Sequence, residues 1–495
     1  MIATGTVTLV GAGPGNRELL TLKGAAALQT ADVVVFDRLV SHDILSLIPE
    51  NAQQINVGKE NRCHPVPQQE INSLLVRLAK EGKHVVRLKG GDCFLFGRGG
   101  EECEYLLENG IPFEVVPGVT SALAAPAYAG IPVTHRNHSS SVHLITAHAQ
   151  AGKKLEIDFK SLVRLKGTLV FLMGLAALKP IVSGLLSAGL PSDTPAAVIE
   201  NGTRGNQRKV ISDIKHLPEK TRAAGISSPA LIVVGHVCSL SSRLDWFTSL
   251  PLHGKTILIT RPNERKEALS NQLRNAGANV IECPCIHTVE LEDTSKLSCA
   301  LNEKWDWVVL TSPTGVHAMV HMLQRAGRDL RALWGCRFAV IGPGTAQQLL
   351  HYGIQADLIP EAYDGAHLAK ALVQTLSPGE RVLLLRAEQS SAVLPKQLEA
   401  ANISFIEIPT YRTVYVSDSP ALRSLLTQKS VDAVMFTSAS TVEGFVQAAG
   451  IKDFQSFLAV CIGTQTASAA QKYGMRIKIA KESTIDAMIA VLMEE

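Results

Sequence analysis

Two apolar strands that run straight into glycine-rich turns are the first residues here able to do chemistry. Val7-Thr8-Leu9-Val10 leads into Gly11-Ala12-Gly13-Pro14-Gly15, and Val85-Val86-Arg87-Leu88-Lys89 leads into Gly90-Gly91-Asp92. Glycines at a strand end let the backbone come close to a ligand. A dinucleotide fingerprint would read Gly-x-Gly-x-x-Gly, with an acid about 20 residues later. Pro14 removes one N–H that a pyrophosphate would use, but Asp37, at the end of Val33-Val34-Val35-Phe36, stands near the required distance. On these residues alone a nicotinamide site stays open. The nine cysteines include no Cys-x-x-Cys pair and no metal-ligand spacing, so no metal is expected. Cys283-Pro284-Cys285 reads as two small residues ending a strand.

The elements that must position these turns alternate between strands and helical patterns such as Gln69–Glu81 and Glu101–Asn109. That alternation predicts an α/β architecture with largely parallel sheets. A length of 495 residues suggests three or four compact units, and 46% hydrophobic with 19% charged residues describes an ordinary globular chain. The net charge of +3 comes from no basic block, which argues against nucleic acid as the main partner. Neither a charged leader with an apolar run nor about 18 uninterrupted apolar residues occurs, so a cytoplasmic protein that does not enter a membrane is expected. The chain divides near residue 250, between Trp246-Phe247-Thr248-Ser249-Leu250-Pro251 and the new strand Lys255-Thr256-Ile257-Leu258-Ile259.

The second half holds an internal repeat. Phe338-Ala339-Val340-Ile341-Gly342-Pro343-Gly344-Thr345 is followed by Tyr352-Gly353-Ile354, and Leu458-Ala459-Val460-Cys461-Ile462-Gly463-Thr464-Gln465-Thr466 is followed at the same offset by Tyr473-Gly474-Met475. Each copy lies after a strand ending in Thr-Ser, Val308–Ser312 and Val434–Ser438. Two similar α/β lobes follow, because each copy needs a sheet to bury it.

The first half resembles the tetrapyrrole methyltransferases, and among them the uroporphyrinogen-III C-methyltransferases. Besides the two glycine turns, the matching stretches are Leu20–Gly24, Asp37-Arg38-Leu39-Val40-Ser41, Val57-Gly58-Lys59, Val116–Ser121, Gly130–Arg136, Met173-Gly174-Leu175, Glu200-Asn201-Gly202-Thr203 and Ser228-Pro229-Ala230. They run in the family's order over about residues 5–245. One departure is Cys93, where the family usually has proline. The resemblance implies two α/β lobes, about 1–116 and 120–245, with the site in the cleft between them and a dimer formed through this half. It implies S-adenosyl-L-methionine as methyl donor, held by Pro14, Gly90, Gly91, Asp92, Leu95, Thr120, Ser121, Met173 and Gly202. Asp37 matches the family's general base and Lys59 its proton donor; a solvated strand-end acid and an ordinary surface lysine are the plain alternatives. Uroporphyrinogen carries eight carboxylates, so Arg38, Lys59, Arg62, Arg98 and Arg136 are the candidate cations of the cleft.

The second half resembles the uroporphyrinogen-III synthases through Ile259-Thr260-Arg261-Pro262, Leu310-Thr311-Ser312-Pro313, Leu384-Leu385-Arg386, Tyr411-Arg412-Thr413, Phe436-Thr437-Ser438-Ala439-Ser440 and the two Ile-Gly turns. That family builds one lobe from both ends of the domain, here about 255–287 plus 414–495, around an inserted lobe, 288–413. The expected reaction needs no cofactor: hydroxymethylbilane loses its hydroxyl and closes with inversion of the last ring. Tyr411 matches the acid that assists loss of water. Thr311, Ser312, Ser438, Gln465 and Thr466 stand at strand-to-helix turns where substrate carboxylates could be held. The family has threonine where Gln465 stands.

Together the resemblances imply a bifunctional enzyme: the 255–495 half makes uroporphyrinogen III, and the 1–250 half methylates it twice to precorrin-2, for sirohaem or cobalamin. The alternatives are a methyltransferase of the same family on a later corrinoid or on a protein, and a second half that only binds a tetrapyrrole or docks a partner.

Overall fold

A computed structural model describes residues 4–58, 66–147, 156–261 and 267–494. The chain forms two compact units, Met1–Ile257 with Ser270–Ile281 and Leu492–Glu495, and Leu258–Leu269 with Glu282–Val491.

The first unit opens with five strands, β1 (Thr6–Gly11), β2 (Val33–Phe36), β3 (Gln53–Asn56), β4 (His84–Lys89) and β5 (Phe113–Val116), in the order β3-β2-β4-β1-β5. Every neighbouring pair is parallel. Helices Leu22–Gln29, Gln68–Lys80 and Gly99–Glu108 are among the crossovers between them. Val33, Val34 and Val35 are at most 1% exposed, as befits a parallel strand covered on both faces. Arg87 and Lys89 are as deeply buried on the neighbouring β4, and charges rarely reach such depth unpaired.

A second sheet of the same unit contains β6 (Val142–Thr146), β7 (Thr168–Leu172), β8 (Pro195–Glu200), β9 (Arg208–Asp213) and β10 (Ala230–Val234), in the order β6-β7-β10-β8-β9. Only β6 and β7 pair in parallel; β7-β10, β10-β8 and β8-β9 are antiparallel. The sequence predicts largely parallel pairing, and for β8 and β9 the physical reason for the difference is the short connection 201–207. A parallel pair would need a crossover of about a dozen residues or more.

The remaining strands are β11 (Thr256–Ile259), β12 (Asn279–Glu282), β13 (Ile286–Glu290), β14 (Trp307–Leu310), β15 (Arg337–Val340), β16 (Arg381–Ala387), β17 (Ser404–Tyr415), β18 (Ala433–Phe436), β19 (Leu458–Cys461) and β20 (Arg476–Ile479). They form the sheets β12-β11-β18-β19-β20 and β13-β17-β16-β14-β15. The chain therefore leaves one sheet after β12 and returns to it at β18. The repeat falls as β15 with helix Pro343–His351 and β19 with helix Thr464–Gln471, one copy per sheet. In each copy the Tyr-Gly pair ends the helix, with Gly353 at φ +80° and Gly474 at φ +70°, a conformation that favours glycine.

Candidate active site

The ends of β1 and β4 are tied to one another by glycine. Gly13 N–H donates to the Gly91 carbonyl at 3.1 Å and Gly91 N–H to the Gly13 carbonyl at 2.8 Å. Gly118 seals the pair from behind: a Cβ on it would stand 2.2 Å from the Gly91 oxygen and 2.7 Å from Gly11 Cα. Asp92 fixes the turn that follows. Its Oδ1 accepts from the N–H groups of Phe94 (2.9 Å) and Leu95 (3.0 Å), and its Oδ2 from that of Gly118 (3.0 Å). The carboxylate is therefore engaged in holding the loop open.

Around these turns lies a cavity of about 540 Å³, within the usual size of a small-molecule site. Pro14, Gly90, Gly91, Asp92, Leu95, Thr120, Ser121, Met173 and Gly202 all line it, although they come from five separate loops. Thr120 caps the helix Ser121–Tyr128 by accepting from Ala122 N–H, so that helix begins at the cavity wall. Phe96, Arg98, Met173 and Asn201 line it with φ between +49° and +58°, and non-glycine residues so strained tend to gather at functional sites. Gly202 is required by contact: a Cβ there would fall 2.2 Å from that of Ala125.

Asp37 faces the same cavity with its side chain 31% exposed. Its Oδ1 accepts from Arg87 Nη2 at 2.7 Å. Arg87 Nε also donates to Glu102 Oε1 at 3.2 Å, which accepts from Lys89 Nζ at 2.9 Å and Gln68 Nε2 at 3.0 Å. Burial works against the Arg87 charge, yet Asp37 and then Glu102 outweigh it and hold the guanidinium above its ordinary value. Sequence reading passed over Arg87, Lys89, Glu102 and Gln68. The available signal was two cations inside an otherwise apolar strand, which demand buried partners.

Of the candidate cations, Arg38 and Arg98 line the cavity. Arg98 Nε already donates to Glu101 at 2.9 Å. Arg136 is exposed on the loop before β6 and is not part of the lining. Lys59 and Arg62 lie outside the described residues. Arg204, unforeseen, does line the cavity; its Nη2 donates to the Leu39 carbonyl at 3.1 Å, and burial pulls its guanidinium below the ordinary value. Gly15 makes room for it, since a Cβ there would stand 2.5 Å from Arg204 Nε. Cys93, in the departure from the family pattern, is fully buried, and burial pushes its thiol up to about 12.

In the second unit, Tyr411 OH and Ser312 Oγ share a hydrogen bond of 2.8 Å. Ser312 Oγ also accepts from Gly315 N–H at the start of helix Pro313–Arg325. The β16–β17 register shifts at Ala387, which pairs with Tyr411 after Arg386 has paired with Pro409. Such a shift re-aims side chains; Thr410 and Tyr411 are consecutive in sequence, yet both are buried. Thr311, half-buried, links β14 to that helix. Ser438 caps helix Ala439–Ala449 and shares a hydrogen bond of 2.9 Å with Ser440. Gln465 is exposed in the first turn of helix Thr464–Gln471, whereas Thr466 is only 4% exposed and turned inward. Among the described residues no cluster of three or more His, Cys, Asp or Glu is arranged to hold a metal.

Comparison with known proteins matches two separate stretches of the chain to two families. The family model of tetrapyrrole (corrin/porphyrin) methylases matches residues 6–218, and that of uroporphyrinogen-III synthase HemD matches residues 267–490. A porphyrin biosynthesis protein HemD from Ruminiclostridium josui is 47% identical over 495 residues, 99% of this chain and 98% of its own length. Siroheme synthase 2 of Yersinia enterocolitica is 52% identical over 252 residues, 51% of this chain and 52% of that protein. The crystal structure of uroporphyrin-III C-methyl transferase from Thermus thermophilus, complexed with S-adenyl homocysteine, is 39% identical; the match covers 48% of this chain and 100% of that one, with a TM-score of 0.41.

Proposed function

This chain belongs to the family in which a tetrapyrrole methylase is fused to a uroporphyrinogen-III synthase, and we propose that it makes uroporphyrinogen III with its 255–495 half and methylates it twice with its 1–250 half, giving precorrin-2. It is a bifunctional protein of tetrapyrrole biosynthesis. The observation that carries the finer reading is that nine residues matched to the methyl-donor site, scattered over five loops, line one cavity.

S-adenosyl-L-methionine supplies an electrophilic methyl group on a sulfonium. The cavity fits such a group: nothing within 4 Å would meet a Cβ at Gly91, so its backbone is open to close approach. Gly90, Gly91 and the Asp92-braced turn would hold the donor on one side, and Thr120, Ser121, Met173 and Gly202 on the other. Most of the chain's work is alignment and exclusion of water. A carbon that already bears a substituent becomes part of a cationic ring system when methylated, and a proton must then leave. Asp37 is the acceptor, with Lys59 as proton donor, and Arg38, Arg98 and Arg204 hold substrate carboxylates, joined by Arg62 and Arg136 from outside the described lining.

In the synthase half, Tyr411 assists departure of the substrate hydroxyl with Ser312 orienting its OH, and Thr311, Ser438 and Gln465 position the chain ends for closure. No helix among the described residues is long and apolar enough to cross a membrane; the proposed setting is the cytoplasm, as a homodimer through the methylase half, feeding sirohaem or cobalamin.

Calorimetry of the full chain with S-adenosyl-L-methionine, followed by addition of uroporphyrinogen III, tests the methylase reading. Donor binding and a red fluorescent product are expected; a folded protein that does neither overturns it. Hydroxymethylbilane should yield the type III isomer on chromatography of the oxidised porphyrins, and a folded protein giving only type I overturns the synthase reading.

A further inference from the structure

We propose that Arg87 and Glu102 are positioning residues for Asp37, forming a buried charge relay beneath the methylase cavity that presents one carboxylate oxygen to the substrate and resets it between the two methylations. The inference rests on the reading above in which Asp37 takes the substrate proton.

Glu102 is fully buried, and Arg87 and Lys89 are 1% and 3% exposed. A strand needs no such charges for packing, since well-packed apolar residues commonly serve a buried site equally well or better. Here the charges point one way. Glu102 Oε1 gathers Arg87, Lys89 and Gln68, while its Oε2 is buried with no hydrogen-bond partner among the described residues. The Arg87 guanidinium is braced further by the carbonyls of Val35 at 3.4 Å and Leu88 at 3.3 Å. Its remaining nitrogen is aimed at Asp37 Oδ1, at 2.7 Å. A planar fork held through its other two nitrogens fixes the direction from which the third meets Oδ1. Oδ2, which has no hydrogen bond to the described residues, is then the oxygen left for the cavity.

The charge balance gives the relay its second role. Arg87 and Lys89 against Glu102 and ionised Asp37 make a neutral group. In the proton step a substrate C–H bond breaks, its electron pair neutralises the cationic ring, and an O–H bond forms on Asp37 Oδ2. The group then carries one net positive charge until the proton passes from the partly exposed carboxyl to water, which restores Asp37 for the second turnover. Among the described residues the other charged groups on the same cavity lining are Arg38 beside Asp37, Asp92 after β4, Arg98 at the helix start and Arg204 from the β8–β9 connection.

The test is the pH profile of kcat for the full-length protein with saturating S-adenosyl-L-methionine and uroporphyrinogen III, in the wild type and in Arg87→Met, Glu102→Gln, Arg87→Lys and Asp37→Asn. Arg87→Met removes the cation beside Asp37, so the acid limb should move up by about one pH unit or more, with donor affinity retained. Glu102→Gln leaves the cations less compensated, so the limb should move down. Opposite displacements are the signature; a merely structural role would lower yield or affinity without them. Arg87→Lys keeps the charge but not the fork, and should lower kcat with the limb in place; it decides the matter if Arg87→Met does not fold. A wild-type limb that disappears in Asp37→Asn but does not move in the Arg87 and Glu102 variants overturns the inference alone. Full turnover in Asp37→Asn overturns the role of Asp37, and the inference with it.

Discussion

The candidate sites of the two units are built from different chemistry. In the first, a carboxylate at a cavity wall is gripped by a buried arginine that is itself braced by a second, fully buried carboxylate. In the second, two neutral hydroxyls, Tyr411 and Ser312, meet at a strand shift and a helix start. The contrast follows the reactions proposed for them. Removing a proton from carbon calls for a base whose charge and direction are set beforehand, which a buried counter-charge can do. Folding a reactive linear substrate into one conformation requires shape and hydrogen-bond donors, which hydroxyls and helix starts supply without a buried ion.

The sharpest break between the units is expected from Asp37→Asn, which should lower methylation turnover by roughly 100-fold or more while donor affinity stays within a few-fold and isomer synthesis is untouched. Turnover at saturating donor, calorimetry and the isomer assay check it together; equal losses of turnover and donor binding would make Asp37 part of the pocket's shape. Asp92→Asn should act in the opposite sense. An amide in place of the carboxylate sets N–H against N–H at Gly118 or at Phe94 and Leu95, loosening the turn and weakening donor binding by about 10-fold, with kcat recovered at saturating donor.

On the neutral side, Tyr411→Phe should slow formation of the type III isomer by about 10-fold without abolishing it, because orientation supplies much of the effect. Thr311→Ala with Ser438→Ala should instead shift product toward type I. A Tyr411→Phe protein as inactive as an unfolded one would show that the second site depends on an ionisable group as strictly as the first.

A last effect is shared and separates the units by their own reporters. Burial pushes the thiols of Cys93 and Cys103 in the first unit up to about 12 and about 11, and that of Cys461 in the second up to about 12. These folded-state thiols keep a proton that the unfolded chain gives up above its ordinary value of 9.0. Stability should therefore be unaffected below pH 9 and fall as pH rises from there toward 11 and 12, by at most about 1.4 kcal/mol per pH unit and thiol. Urea midpoints at pH 8 and pH 10 check the sign. Exposed Cys299 should label at once in the native protein, and Cys93 and Cys461 only as their own units open.

The nine residues matched by resemblance line one cavity, and most of them stand in turns. Gly90 and Gly202 leave no room for a Cβ and Gly13 and Gly91 hold positive φ, and such positions leave local marks in a sequence. The repeat around Gly342 and Gly463 is legible because similar strand and turn residues recur with the Tyr-Gly pair at one offset. The pairing of β8 with β9 was not, since an alternation of strands and helices says little about direction where one connection is short. Thr466 looked like a cleft residue from its place in a turn, but the helix it enters turns it inward.

Apolar strands, glycine turns and helix caps such as Thr120 and Ser312 follow from local propensities and periodicity, and these run along the chain. The partners of Asp37 do not. Arg87 and Glu102 lie 50 and 65 positions away from it, on a strand and a crossover helix, and either could have been a solvated surface charge. Folding β4 between β1 and β2 buries Arg87 against Asp37, and packing helix Gly99–Glu108 on the sheet delivers the second carboxylate. Desolvation then makes pairing obligatory, because an uncompensated charge at that depth is far more costly than one in water. The same holds for Tyr411, whose direction depends on how β17 registers against β16.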